Sequence, residues 1–141
     1  MTHPLVKRRV LLLAGLAGGV APLASRGDVP PNRRENPERS ALLALCAQLA
    51  CPRWLAELCL NSLPPAERST SSLANTLITD ARIAAGGHVP AGHLAQTLRE
   101  RSRDDFGAGR LAIVDGWILS LTETRLYALA ALTGARQSDV G

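Results

Sequence analysis

Apolar positions fall into blocks of different period along this chain. An apolar run, Val10 to Ala21, comes first. The stretch Ser25 to Arg39 has no apolar face, and Pro30, Pro31 and Pro37 stand there among Asn32, Arg33, Arg34, Glu35, Asn36 and Glu38. Proline at that charge density cannot bury a face, so an extended linker is expected. From Ser40 the spacing turns helical, with Leu42, Leu45, Cys46 and Leu49 on one face. Pro52 is best tolerated in a first helical turn. It therefore predicts a break at Ala50-Cys51 and a second helix through Trp54, Leu55, Leu58 and Cys59, stopped by Pro64-Pro65. Leu73, Leu77, Ile78, Ala81 and Ala84 predict a third helix closed by Gly86-Gly87. Pro90 opens a fourth, with Leu94 and Leu98 inward and a charge-alternating end from Arg99 to Asp105. Phe106 then precedes the break Gly107-Ala108-Gly109.

Beyond Arg110 the pattern changes. Leu111-Ala112-Ile113-Val114 and Trp117-Ile118-Leu119 are β-prone runs, and Asp115-Gly116 between them is a two-residue hairpin turn. Ser120-Leu121-Thr122-Glu123 matches the capping box, in which serine and glutamate each satisfy an unpaired amide of the other. A last helix follows to about Thr133, with Leu126, Leu129 and Leu132 inward and Gly134 as its stop. The expected fold is mainly α, a small helical domain of four to five short helices with one short β-hairpin, at about 110–119, before the last helix. This domain spans residues 40–134, after a linker at 28–39 and before a frayed tail at 135–141.

Composition changes the picture in two ways. Aromatic residues make up only 3% of a chain that is 46% apolar, so the core must be built of Leu, Ala and Val, which suits close helix packing. The formal charge of +4 is local to one end. Lys7, Arg8, Arg9 and Arg26 lie in or beside the apolar run, whereas from Asp28 onward twelve Arg face twelve Asp and Glu. The remainder is thus near neutral, and the usual step from a basic protein to a nucleic-acid partner fails.

A basic head followed by an apolar run too short to span a bilayer comfortably is the layout of an export signal. Arg8-Arg9-Val10-Leu11-Leu12 resembles the twin-arginine export motif, with the pair Arg8 and Arg9 and the apolar pair Leu11 and Leu12 in place. It departs from the fuller pattern at Lys7, where Ser or Thr is usual, at Leu11, where Phe is, and at Leu13, where Lys often follows. The resemblance implies a signal over residues 1–27, the twin-arginine machinery as a partner and a periplasmic destination. Cleavage after Gly27 and an uncleaved anchor both stay open, the latter being the one route to membrane association.

Candidate chemistry is sparse. Cys46, Cys51 and Cys59 have neither zinc-site nor haem-attachment spacing; Cys46 and Cys59 fall on inward faces and read either as small core residues or as a disulfide pair. His88 and His93 flank a proline turn and could hold a metal only if Asp80 or Cys51 came near, and loop histidines are the simpler reading. Asp104-Asp105 reads as the solvated end of a charged helix and Asp115 as the turn residue. Phe106 and Trp117 are read as partner-docking anchors or, for Trp117, as a plug for an aromatic-poor core. No catalytic, cofactor-binding or metal-ligating set is assigned, and no cofactor is expected. In size, signal and leucine-rich layout from Ser40 to Pro65 the chain loosely resembles the small subunits of membrane-bound flavin-dependent sugar and alcohol dehydrogenases. That resemblance implies a non-catalytic accessory subunit whose larger redox partner carries the flavin. A free-standing periplasmic helical binding protein is the alternative, and a small hydrolase using His88 or His93 is a third.

Overall fold

Helix α1 begins where an asparagine and a proline together make a start signal. The Asn36 side chain accepts a hydrogen bond from the Glu38 amide at 3.0 Å and Pro37 takes the first helical position, so α1 runs Pro37–Gln48. The computed structural model describes residues 36–134, and Asn36 is the first of them. The expected linker therefore ends three residues sooner than Arg39. The same Asn-Pro pair that reads as loop composition acts as a cap.

The break at Leu49 to Cys51 falls as expected, and α2, Arg53–Ser62, starts from Pro52. After Pro64 a single 3-10 turn, Pro65–Glu67, leads to α3, Thr70–Ala85, whose Ser69 cap accepts from the Ser72 amide at 3.1 Å. Gly86 closes α3 at φ 74°, a left-handed conformation that costs glycine nothing. A second 3-10 turn, Ala91–His93, feeds α4, Leu94–Ala108. This helix runs through Phe106 and Gly107 and stops only at Gly109, φ 70°. Strands β1, Leu111–Val114, and β2, Trp117–Ser120, pair antiparallel with Val114 opposite Trp117 and Leu111 opposite Ser120. Helix α5, Leu121–Gly134, completes a mainly helical fold with one hairpin before its last helix, as the spacing predicts.

Helix α5 is the hub. It packs against α1, α2, α3 and α4, and Leu126, Tyr127, Ala128 and Leu129 are consecutively buried, so it is enclosed on more than one face. Around it the core is aliphatic, with Leu42, Leu55, Leu73, Leu77, Leu94, Leu98 and Leu119 at 2% exposure or less. Among the described residues no helix is long and apolar enough to cross a membrane.

Candidate functional site

Three buried carboxylates organise the polar interior. Glu38, in the first turn of α1, is 1% exposed. Its carboxylate accepts from Arg82 through both Nε, at 3.2 Å, and Nη2, from the Val89 amide at 3.1 Å, and lies 3.1 Å from His88 Nδ1. One side chain thereby ties α1 to the end of α3 and to the segment that follows it. The Arg82 guanidinium holds the Glu38 carboxyl below its ordinary value of 4.5, outweighing the opposing effect of burial.

Asp105 and Glu123 meet where α4, β2 and α5 converge. The Asp105 carboxylate accepts from Arg110 Nε at 2.7 Å, from the Thr122 amide at 2.9 Å and from the Thr122 hydroxyl at 2.7 Å. The predicted capping box forms: Ser120 Oγ accepts from the Glu123 amide at 3.0 Å, and Glu123 Oε2 accepts from the Ser120 amide at 2.9 Å. Ser102 reaches across from α4, its hydroxyl 2.8 Å from that of Ser120. Burial pushes the Glu123 carboxyl above the ordinary range, partly opposed by its bonds with Ser120. A third junction, Arg125 on α5 with Glu67 at 3.1 Å and Asp80 at 3.3 Å, joins α5 to α3 and the turn before it.

The cysteines are core. Cys46, Cys51 and Cys59 are free thiols, so the Cys46–Cys59 disulfide is not formed. Cys46 Sγ is directed at the Leu126 carbonyl, 3.9 Å away on α5, and Cys59 is fully buried, so both act as small apolar fillers. Burial pushes the Cys46 and Cys59 thiols up to about 12 and Cys51 up to about 11. The thiolate is the reactive form, and burial disfavours it at all three positions.

The other sequence candidates are scattered. His88 is drawn to Glu38, and Asp80, imagined near the histidines, is committed to Arg125. His93 ends a 3-10 turn. Among the described residues no group of three or more His, Cys, Asp and Glu could hold a metal ion. Asp115 is the exposed turn residue, at φ 49°. Asp105 corrects the reading of a solvated acidic end, since Asp104 is exposed whereas Asp105 points inward to cap α5. Phe106 and Trp117 are each half-buried, and Trp117 packs against the core. Arg8, Arg9, Leu11 and Leu12 lie outside the described residues. The sequence left unread Glu38, masked by its linker-like neighbours, with its partner Arg82, and also Arg125 and Ser102, the last an unremarkable serine in a charged run. Comparison of the chain with family models, curated proteins and solved structures gave no match.

Proposed function

We propose that this chain is an exported accessory subunit that escorts or stabilises a larger periplasmic or membrane-associated oxidoreductase. The twin-arginine-like Arg8-Arg9-Val10-Leu11-Leu12 supports export, and that route carries folded cargo, including pairs in which one chain bears the signal for both. The observation that supports a scaffolding role is the use made of the buried carboxylates. Glu38 and Asp105 each bond backbone or side-chain donors of other elements, and Glu123 closes the cap of α5. Their acceptor capacity is spent on holding the domain in shape. Phe106 and Trp117, half-buried at the end of α4 and on the hairpin, offer aromatic surface beside that rigid frame.

The test is affinity capture of the tagged full chain from the envelope of its native cell. A larger redox protein in stoichiometric amount is expected; a capture with no such protein would sink the reading. Changing Arg8 and Arg9 to lysine should hold both chains in the cytoplasm. Undiminished export of the double variant would remove the twin-arginine part of the proposal.

A further inference from the structure

One side chain fastens the connector between α3 and α4 to the fold. Gly86 and Gly87 end α3 at φ 74° and 156°, and their amides return to the carbonyls of Ile83 and Arg82. His88 and Val89 come next, and Pro90 has no amide to give. The chain then bonds itself again, the His93 amide to the Pro90 carbonyl at 2.8 Å, where the turn into α4 begins. Among the described residues the only polar tie from His88 and Val89 to the rest of the molecule is the Glu38 carboxylate. Their apolar tie is the Val89 side chain, 1% exposed in the core.

Charge holds that carboxylate in place. From α3, Arg82 reaches it through Nε and Nη2, and from the connector His88 Nδ1 lies 3.1 Å from the same Oε1 that accepts from the Val89 amide. Arg39, its neighbour on α1, turns to Ser71 instead. The other elements packed against α1, namely the 3-10 turn before α4, α4 itself and α5, send it no charged side chain. Protonation would reverse the balance at this junction. In acid the guanidinium and the imidazole are both cations, and a neutral carboxyl leaves them facing each other with no anion between. It keeps a carbonyl oxygen for the Val89 amide, but as a weaker acceptor than a carboxylate. The Arg82 and His88 side chains are 46% and 68% exposed, so both are free to turn to water.

We propose that residues 88–90 form a strap that acid releases: protonation of Glu38 lets the strap swing out about Gly86-Gly87 while the hairpin and α5 stay packed. The two glycines supply the hinge, because their backbone crosses between left- and right-handed regions with no Cβ in the way. Release stays local. Beyond its first turn α1 is held by Leu42, Leu45 and Cys46, all buried. At the far end of α4 the Ser120 and Thr122 amides bond Glu123 and Asp105, with Arg110 and Arg101 beside Asp105. Burial of Val89 opposes release, so acid raises the open population without emptying the closed one. The closed carboxyl of Glu38 sits below its ordinary 4.5 and the released one returns to it. The open population therefore climbs as pH falls from the released value toward the closed one.

The test is residue-resolved amide hydrogen exchange by NMR on the purified full chain, so it is independent of the export route and of any redox partner. Rates are followed from about pH 7 to about pH 3, each divided by the intrinsic rate of that amide at that pH. Protection of the Val89 amide should fall about tenfold or more, while that of the Ser120 amide changes by less than about threefold. Glu38→Gln keeps the side chain's size and removes its titration, so Val89 protection should be low at neutral pH and flat below it. His88→Ala alters an exposed residue and removes one of the two cations, so its acid loss at Val89 should be smaller than the native one. Val89 protection that does not change with pH in the native protein would overturn the proposal. So would simultaneous loss at Val89 and Ser120, an acid loss in Glu38→Gln equal to the native one, or an undiminished acid loss in His88→Ala.

Discussion

Glu38 and Glu123 occupy the same place in two helices, the first turn of α1 and the first turn of α5, and both are almost wholly buried, at 1% and 4% exposure. Each bonds a backbone amide, of Val89 in one case and of Ser120 in the other. Their carboxyls nevertheless shift in opposite directions. Glu38 has a guanidinium against it, and the charged form wins despite burial. Glu123 has Ser120 as its neutral partner and the negative Asp105 nearby, so burial wins and the proton is held more tightly. A helix N-terminus and an amide donor favour a carboxylate in both places. The difference follows the charges alongside: Arg82, with His88, favours the charged form of Glu38, whereas at Glu123 the negative Asp105 adds to desolvation.

The comparison breaks most sharply at Glu38. Glu38→Ala removes the charge that Arg82 faces and leaves the Val89 amide buried without its acceptor, and should cost about 3 kcal/mol of unfolding free energy, read from urea denaturation. Hydrogen exchange at Val89 should accelerate in that variant well before global unfolding. Next in size is Ser120→Ala in the other region, at about 1–2 kcal/mol, because the hydroxyl caps α5 and also meets Ser102.

Stability against pH should separate the two groups by sign. A carboxyl whose folded value is lowered stabilises above its unfolded value, and that contribution is lost as pH falls through the ordinary range and below. A carboxyl whose folded value is raised does the reverse: its contribution is full below the unfolded value and is lost as pH rises through the folded one. Denaturation midpoints measured from about pH 2 to about pH 7 should therefore show a flatter acid limb in Glu38→Ala than in the native protein. An equally steep acid limb in Glu38→Ala would assign acid sensitivity to another carboxylate.

The same two regions show what the sequence made legible. Around Glu123 the pattern was complete within four residues, because a capping box is a local device whose donors and acceptors are close in sequence. Helix breaks at Pro52, Pro64 and Gly86 were readable for the same reason, each being set by a residue's own backbone. Glu38 was not readable, since its partners Arg82, His88 and Val89 lie some 44 to 51 residues away and nothing local to Asn36-Pro37-Glu38 announces them. Asp105 was half readable. The run Arg103-Asp104-Asp105 has the composition of a solvated helix end, and only the fold turns Asp105 toward Thr122 while Asp104 stays in water. The thiols were ambiguous because an inward helical face suits both a filler and a bridge, and the direction of Cys46 Sγ toward Leu126 is a tertiary fact.

The smallest effect is the most discriminating. Glu123→Gln keeps the length of the side chain and an oxygen for the Ser120 amide, while removing the ionisable group that burial penalises. Its stability at neutral pH should change by less than about 1 kcal/mol, toward greater stability, because no cation is left unpaired. The rise of stability on acidification that Glu123 contributes should disappear with it. Glu38→Gln is the matched control. It also keeps length and an acceptor, but it leaves Arg82 facing a neutral amide, and should lower the denaturation midpoint where Glu123→Gln does not. The pair of midpoints thus compares a buried carboxylate that has a guanidinium beside it with one that has Asp105 nearby. If the two glutamine variants lose the same stability, the cation is not what divides the regions, and packing around each side chain must account for both.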